Sequence, residues 1–295
     1  MKQLTCEMCG SRDLLKQDGV FVCQTCGCKY SVEEARKMMI EGTVEVQGTV
    51  KVDNTDSIEK YLTNARRALM KEDWEEVEKY YNLVEQNSDN NMEAVFFSAY
   101  GRAMLSMTDS EYFKREQKFE VLNKSISVIS DYYSLTVENK KDVLEKISKY
   151  VKNMVAIPYV YDTKVAPDAT GSRGWCANLI NSTINAFAME LEQIYNTAGE
   201  EYIKHLIDEY GPYTITLRRK KQGVLMGGAA TMDVYLNNAK LILENGEDKI
   251  VELRFGVYVV IVNCGTTAVL SPFVLKENTT IHFGFKMSGV FCEIA

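Results

Sequence analysis

Histidine is scarce in this sequence, since only His205 and His282 occur among its 295 residues, far apart along the chain. Neither lies near a Gly-x-Ser-x-Gly nucleophile motif, and the His-Glu-x-x-His pattern of metalloproteases is missing. Acidic pairs are abundant, but at helical spacings they are typical of solvated faces. The sequence thus offers no pattern that predicts a catalytic site, and we expect a protein that is not an enzyme.

Long hydrophobic stretches are also lacking. The longest apolar run, around Val257 to Val262, is far too short to span a bilayer. No early segment has the charged start, apolar stretch and small-residue cleavage site of a secretory signal. We therefore expect a cytoplasmic, globular protein without a membrane partner. In such a reducing compartment, paired cysteines indicate metal binding more readily than disulfides.

A basic excess is missing as well, because the formal net charge is -7. Residues 1–40 carry six Lys/Arg and five Asp/Glu, and residues 213–295 carry nine and seven. The middle, residues 41–212, holds nineteen against twenty-nine, a net of -10. Nucleic-acid binding draws much of its affinity from neutralising phosphates, so this charge distribution argues against a long duplex-binding face. It favours a helical, solvent-exposed surface with polar partners.

What the sequence does have is a cysteine cluster near its start, CEMCGSRDLLKQDGVFVCQTCG. A Cys-x-x-Cys turn presents both sulfurs to one ion, and two such turns complete a tetrahedral Zn²⁺ shell. With four thiolates there is no open position for a catalytic water, so the zinc would be structural. So small a segment cannot bury enough core to fold alone, and the metal would supply its folding energy. The predicted ligands are Cys6, Cys9, Cys23 and Cys26.

The other cysteines have less specific interpretations. Cys28 is a fifth thiol beside the cluster, which exchanges with Cys26 as a ligand or is a bystander; the second is favoured because four ligands already satisfy zinc. Cys176, Cys264 and Cys292 are isolated in sequence and are expected to be buried small apolar residues.

The N-terminal segment, with its paired cysteines, Gly10, Gly27 and intervening strand at Phe21 and Val22, resembles a zinc ribbon of the transcription initiation factor B type. The resemblance covers about the first thirty residues and departs from the common pattern at Glu7 and Cys28. Nothing downstream resembles the cyclin-type helical repeats of that factor. The whole layout is similar to bacterial proteins known chiefly by their ribbon, and this resemblance does not imply a particular function.

Four regions follow from the patterns. Residues 1–42 form the zinc ribbon and a short helix, which Ser31 and Glu34 start as a capping box. Residues 43–56 are predicted to be a linker or short strands, because apolar and polar residues alternate in GTVEVQGTVKVDN and glycines at 42 and 48 interrupt the pattern. Residues 57–211 are helical, and 212–295 are rich in β-structure. The predicted fold class is therefore multidomain α+β.

The helical region begins with apolar residues at the spacing of one helix face, and Asp73 with Glu76 starts a second helix. These helices resemble a tetratricopeptide repeat of thirty-four residues, and Ala99 lies thirty-four residues after Ala65. An ordinary helical bundle is the alternative. The positions that carry the resemblance are Ala65, Trp74, Val77, Tyr81, Val84 and Asp89.

Later in the helical region, a loop with Pro158, Pro167, Gly171 and Gly174 precedes another amphipathic helix, and Gly199 marks a break. That helix, WCANLINSTINAFAMELEQIY, has one apolar face. Its members are Ile180, Ile184, Phe187, Leu191 and Ile194.

Beyond Pro212, six or seven short alternating stretches predict an antiparallel β-sandwich or barrel. Asn237-Asn238 and Asn245-Gly246 are hairpin-turn signals. The basic run 218–221 could bind a phosphate. We favour a strand in which alternation divides these side chains between two faces and the lysines protect an exposed sheet edge. GVLMGGAA at 223–230 lacks the Lys-Ser/Thr ending of a phosphate loop and is predicted to be a flexible hairpin connection.

Two functions remain after these exclusions. The favoured hypothesis is a non-enzymatic adaptor, in which a structural zinc ion holds the ribbon and stacked helices present a surface to a protein partner. The alternative is a transcription-associated or nucleic-acid-binding factor whose ribbon contacts DNA, RNA or polymerase, against which the nearly neutral ribbon counts.

Overall fold

The computed structural model describes residues 5–6, 8, 11–17, 19–35, 55–109, 111–136, 139–157, 170–226, 228–237 and 239–295. The chain divides into two compact units, Met1–Asp53 and Asn54–Ala295, and each is described by itself. Of residues 43–56, for which we predicted a linker or short strands, 43–54 lie outside the described residues, whereas 55–56 already belong to a helix. Among the described helices, none combines the length and the apolar character that a membrane span needs.

The first unit contains a small antiparallel sheet of three strands, in the order β1-β2-β3. The strand predicted at Phe21 and Val22 is β2, at the centre of this sheet. A helix over residues 32–35 follows, and its capping box is formed as predicted. The Ser31 N–H donates to Glu34 Oε2 at 2.8 Å, and the Glu34 N–H donates to Ser31 Oγ at 3.2 Å. The strands are β1 Leu14–Gln17, β2 Val20–Cys23 and β3 Lys29–Tyr30.

The second unit begins with helices, and its chain then turns to strands. Capping side chains set several helix starts: the Asp73 carboxylate accepts from the Glu76 N–H at 3.3 Å, and Asn91 Oδ1 accepts from the Ala94 N–H at 2.9 Å. The described α-helices between residues 55 and 208 are α1 Thr55–Met70, α2 Trp74–Asn87, α3 Met92–Ser106, α4 Tyr112–Ile126, α5 Ile129–Leu135, α6 Lys140–Asn153, α7 Thr170–Ala198 and α8 Glu201–Asp208.

Helix α7 confirms one sequence prediction and corrects another. Its predicted apolar face, from Ile180 to Ile194, is buried in the helical core. Gly199 ends it with a positive φ of 65°, and its N–H donates to the Tyr195 carbonyl, so the predicted break is confirmed. The predicted loop, however, ends too late, because the helix begins at Thr170 and includes Gly171 and Gly174. Glycine disfavours a helix interior, but two residues do not outweigh the long amphipathic stretch that follows.

Strands after residue 212 form two four-stranded sheets whose inner faces share one apolar core. The sheet orders are β11-β10-β4-β7 and β6-β5-β8-β9. The strands are β4 Tyr213–Arg219, β5 Met232–Leu236, β6 Ala239–Leu243, β7 Asp248–Leu253, β8 Gly256–Cys264, β9 Thr266–Leu275, β10 Thr279–Lys286 and β11 Gly289–Ile294.

The prediction of purely antiparallel sheets is wrong at one pair, because β10 runs parallel to β4. Eight strands are present in place of the expected six or seven. Strands β9 and β11 were not predicted, because apolar and polar residues alternate poorly in TTAVLSPFVL and GVFCEI. Asn237, with φ of 53°, does form the β5–β6 hairpin turn. The Asn245-Gly246 turn instead joins β6 to β7, which lie in different sheets.

Helices and sheets are joined where β8 passes beyond the end of β5. Here Asn181 of α7 acts as a substitute strand: its amide donates to the Val257 carbonyl and accepts from the Val257 N–H, both at 2.9 Å. Asn237 similarly accepts from the Val259 N–H at 2.8 Å. A Cβ on Gly256 would lie 2.5 Å from Asn181 Oδ1, so the close approach requires glycine. Burial of unpaired backbone polar groups is thereby avoided.

A buried carboxylate connects four helices. Glu93 of α3 is 4% exposed and accepts from Arg66 Nε of α1 at 3.0 Å, Tyr81 Oη of α2 at 2.8 Å and Lys146 Nζ of α6 at 2.7 Å. Burial by itself would raise the pKa of Glu93, but hydrogen bonds and charge from Arg66 and Lys146 outweigh burial and lower this pKa to about 2. The group therefore stays ionised and its lone pairs are satisfied.

Replacing Asn181 by alanine should lower the free energy of unfolding by about 2–4 kcal/mol, because two backbone groups of Val257 lose their partner inside the core. Asn185, exposed on the same helix, provides the matched control: Asn185→Ala should change stability by less than about 0.5 kcal/mol. Denaturant unfolding of both variants measures the difference. Equal stabilities would contradict the strand-like role of Asn181.

Glu93→Gln should destabilise the chain at neutral pH by about 2–3 kcal/mol, since Arg66 and Lys146 lose the buried carboxylate that pairs with them; their own partial exposure to solvent limits the loss. The folded pKa lies below the value of about 4.3 for an unstructured glutamate. The contribution of Glu93 is therefore complete above about pH 5 and is lost as the pH falls toward 2.

Unfolding measured from pH 7 to 3 should accordingly show a shallower acid decline for Glu93→Gln than for the unmodified chain. The control is Glu78→Gln, which removes the more accessible Glu78–Arg102 pair and should cost about 1 kcal/mol or less. Identical pH profiles for Glu93→Gln and the unmodified chain would exclude the proposed electrostatic role.

Candidate metal centre

Three of the four predicted ligands lie together in the first unit. The Sγ atoms of Cys6, Cys23 and Cys26 are all within 4.8 Å of one another, and those of Cys6 and Cys26 are 3.5 Å apart. A disulfide would need about 2.05 Å, whereas tetrahedral Zn²⁺ with Zn–S bonds of about 2.3 Å places its sulfurs about 3.8 Å apart. The spacing excludes a Cys6–Cys26 disulfide and is compatible with shared metal ligation, so the cluster could hold a metal ion.

Burial of the three thiols is uneven. Cys6 and Cys23 are each 1% exposed, whereas Cys26 is exposed. Among the described residues of this unit, the buried cluster consists of Cys6, Cys23 and Tyr30, with Leu14, Phe21 and Cys28 packed against it. A core of that size supplies little apolar stabilisation, so ligation of an ion would contribute much of the folding free energy.

Two equivalent loops present these sulfurs. The Cys6 N–H donates to the Ser11 carbonyl at 2.7 Å, and the Cys23 N–H donates to the Cys28 carbonyl at 2.9 Å. Each loop is therefore closed by a hydrogen bond over the same span of five residues. Gly27, with φ of 76°, permits the return of the second loop, as its position after the cysteine predicts.

Closure of the second loop explains the position of Cys28, which sequence reasoning left between ligand and bystander. Cys28 corresponds to Ser11 of the first loop, and its backbone carbonyl makes the closing bond. The described three-thiol cluster does not include its side chain. A backbone role requires no thiol, and this agrees with the bystander interpretation.

Direct contacts also hold the two loops against each other. The Thr25 hydroxyl donates to Ser11 Oγ at 2.8 Å, and the Gln24 N–H donates to the Asp13 carbonyl at 2.9 Å. These bonds fix the second Cys-x-x-Cys pair relative to the loop that begins at Cys6. The fourth predicted ligand, Cys9, lies outside the described residues, and its ligation stays a prediction.

Tyr30 is a functional candidate that sequence reasoning missed. It is buried on β3, which pairs with β2 through Phe21, and its hydroxyl lies 3.1 Å from Cys6 Sγ. The hydrogen bond with Cys6, together with burial, raises the pKa of Tyr30 to about 12. The phenol therefore keeps its proton and can donate it toward a Cys6 thiolate, as outer-sphere groups do around metal ligands.

Other cysteines and the histidines lie elsewhere. Cys176 is buried on α7, as predicted, but Cys264 and Cys292 are only partly buried. The Cys264 thiol donates to the Thr231 carbonyl at 3.0 Å. His205 lies exposed on α8 and His282 lies partly buried on β10. Among the described residues, only Cys6, Cys23 and Cys26 form a group of three or more potential metal ligands.

The basic run is split between two faces, as alternation predicts. Arg218 is exposed and bonds to Asp248 at 2.8 Å, whereas Arg219 is buried and donates to the Leu243 carbonyl at 2.8 Å. Protection of a sheet edge is a wrong interpretation, however, because β4 lies between β10 and β7. Lys220 and Lys221 follow the strand and are exposed.

GVLMGGAA is not a hairpin connection, which corrects the sequence prediction. It links β4 to β5, and these strands belong to different sheets. Within it, Val224–Met226 forms one turn of 3₁₀ helix. Alternating stretches on both sides of a glycine-rich segment gave no information on whether the flanking strands pair with each other.

Replacing a ligand and replacing Tyr30 should affect metal binding differently. Cys23→Ser should abolish tight Zn²⁺ binding, because a buried thiolate is lost, while residues 54–295 stay folded. Tyr30→Phe keeps the apolar ring and removes one hydrogen bond, so the Zn²⁺ dissociation constant should rise about tenfold. Competition with a chromophoric chelator measures both.

Tyr61→Phe is the control for loss of a tyrosine hydroxyl, because Tyr61 lies on α1 of the second unit. Zinc retained tightly by Cys23→Ser would contradict the ligand assignment. Equal zinc affinity in Tyr30→Phe and Tyr61→Phe would contradict the role of the Tyr30 hydroxyl.

Comparison with known proteins gives no family to which the chain can be assigned. No protein-family model matches it, and neither the curated proteins nor the solved structures contain a match. The functional conclusion therefore depends on the cysteine cluster and on the surfaces of the chain itself.

Proposed function

We propose that this protein is a zinc-binding, non-enzymatic adaptor, whose N-terminal zinc ribbon and helical surface engage a protein partner. The observation that carries the proposal is the convergence of Cys6, Cys23 and Cys26 within 4.8 Å in a unit whose described apolar core is small. Such an arrangement suits a structural ion more than a catalytic one, because thiolates from paired turns fill the coordination shell.

Cys9 is the proposed fourth ligand. The sequence repeats Cys-x-x-Cys-Gly-x at 6–11 and 23–28, and the closing hydrogen bonds start at Cys6 and Cys23, the first residue of each repeat. Because Cys26 contributes its thiol as the fourth residue of the second repeat, Cys9 has the corresponding place in the first. A four-thiolate shell is the donor set that Zn²⁺ prefers in structural sites.

The helical region supplies the proposed partner surface. A cavity of about 320 Å³ lies between the α2–α3 turn, the α5–α6 connection and α1. Its lining combines apolar side chains with Arg66 and with the polar residues 88–91, a mixture suited to a protein segment. Tetratricopeptide-like stacking of α1, α2 and α3 is part of the proposal, since repeat helices commonly form such grooves. The apolar lining residues are Leu62, Met92, Leu135 and Val143.

The β-rich region is proposed to be a sandwich that braces this groove. Its two sheets share a core, and Asn181 links β8 to α7, a helix that packs against the others. Rigid support favours binding because less conformational freedom is lost when the partner docks.

Affinity capture from the native host tests the adaptor function with three baits. We compare the unmodified chain with Leu135→Glu, which places a charge on a 60% exposed groove residue. Met70→Glu, at a 78% exposed methionine at the end of α1, is the matched control. A protein retained by the unmodified chain and by Met70→Glu, but depleted several-fold with Leu135→Glu, supports the proposal.

Two results would count against the adaptor. One is equal recovery of all proteins by Leu135→Glu and Met70→Glu. The other is recovery that nuclease treatment or moderate salt removes, since that favours the nucleic-acid alternative. Adding Cys23→Ser as a bait shows whether capture also needs the N-terminal unit.

A further inference from the structure

Four chain connections meet at one end of the paired sheets. β4 and β10 run parallel, so both end on the same side, and the antiparallel pairings place the starts of β5, β7, β9 and β11 there too. The connections are residues 220–231, 244–247, 265 and 287–288. We call this end the tip. The opposite end contains Phe255, whose N–H donates to the Tyr210 carbonyl of the helical region.

Large apolar side chains protrude from the tip. Leu225 is 100% exposed and Met287 is likewise fully exposed, while Val224 is 76% exposed. Leu225 and Val224 belong to the 220–231 connection, and Met287 belongs to the β10–β11 turn. Scattered single apolar residues are ordinary on a protein surface, but fully exposed ones on neighbouring turns indicate an interaction site.

Hydrogen bonds hold these two connections side by side. The Gln222 side chain donates to the Phe285 carbonyl at 2.9 Å and accepts from the Phe285 N–H at 2.8 Å. Asn245 in turn accepts from the Gln222 N–H and donates to the Gln222 carbonyl, both at 2.9 Å. These bonds fix the start of the 220–231 connection beside Phe285, which lies two residues before Met287 in sequence. The exposed apolar side chains therefore extend from backbone that hydrogen bonds hold in place.

Charge at the tip favours an anionic surface. Lys220 and Lys221 are exposed and make no ion pair with any residue that the structure describes. The 220–231 connection and the 287–288 turn contain no acidic residue. The acidic groups at this end are Asp233, Glu244, Glu247 and Asp248. Three of them face a cation: Asp233 pairs with Lys240 at 2.8 Å, Asp248 pairs with Arg218 at 2.8 Å, and Glu247 lies 3.6 Å from Lys249.

We propose that the tip docks on the surface of an anionic lipid bilayer, with Val224, Leu225 and Met287 entering the headgroup boundary and Lys220 and Lys221 meeting lipid phosphates. A bilayer accepts protruding apolar side chains without a complementary pocket, whereas a protein partner would need one. Apolar insertion and basic attraction together are the two signals that peripheral membrane binding requires. This departs from our sequence expectation of no membrane partner.

The docking surface is independent of the proposed adaptor function, because it uses neither the cysteine cluster nor the groove beside Arg66. It also differs from a spanning segment: the described helices cannot cross a bilayer, and the tip would only lie in its interface.

Sedimentation with lipid vesicles tests the proposal on the full chain. Binding to phosphatidylcholine vesicles containing phosphatidylserine should exceed binding to phosphatidylcholine alone and should fall as salt rises. The Leu225→Asp/Met287→Ser variant should lower partitioning by about tenfold or more, because apolar insertion is lost. The Lys220→Gln/Lys221→Gln variant should cause a loss of about tenfold.

Matched controls separate docking at the tip from general effects of charge. Met70→Asp changes an exposed methionine of α1, and Lys60→Gln/Lys71→Gln removes two exposed lysines of the helical region. These variants should partition like the unmodified chain, and thermal unfolding should confirm that all variants fold. Failure to bind either vesicle type would overturn the proposal, as would equal losses in the tip variants and controls. Tip-dependent self-association without vesicle binding would overturn it in favour of a second copy of the chain.

Discussion

The second unit depends on a buried polar contact within a largely apolar interface, the pairing of the Asn181 amide with both backbone groups of Val257. The helical core continues onto Phe255, Val257 and Val259, so this stretch of β8 is covered by helices where β5 no longer reaches it. A helix surface cannot satisfy a strand's hydrogen bonds with its own backbone. A side-chain amide can, because it offers a donor and an acceptor at strand-like spacing. The contact between helices and sheets thus requires asparagine there and glycine at 256.

The same solution recurs at the other end of the sheets, where Gln222 pairs with Phe285 and Asn245 pairs with Gln222. Side-chain amides therefore complete the hydrogen-bonding ladder of a sheet where one strand ends before its neighbour does. The first unit is organised differently, because the core among its described residues is too small to position the two loops by packing. Sulfur atoms and two closing backbone bonds organise it instead.

Local patterns sufficed wherever a residue's role is set by its immediate neighbours. Capping boxes, the apolar face of α7 and the strand at Phe21 were all predictable, since they depend on short-range periodicity. Sheet membership was not, because alternation does not encode which strands pair, and the parallel β4–β10 pair joins residues about sixty positions apart. The burial and pairing of Glu93 could not be predicted for a similar reason. Its cationic partners come from α1 and α6, and in sequence it resembles any solvated acidic residue of a helix.

These differences bear on what each unit can contribute to function. Residues 54–295 have an extensive core, a satisfied buried carboxylate and amide-completed sheets, so the groove and the tip persist whether or not metal is bound. In the part of the first unit that the structure describes, the buried cluster consists of Cys6, Cys23 and Tyr30. Ligation of a metal ion by the cysteines would therefore contribute much of the stability of its surface, because this described core is small. Under the proposed function, metal supply would therefore control the interactions of the N-terminal unit and leave those proposed for the groove and the tip unchanged. One chain would then combine a metal-dependent contact with constitutive ones.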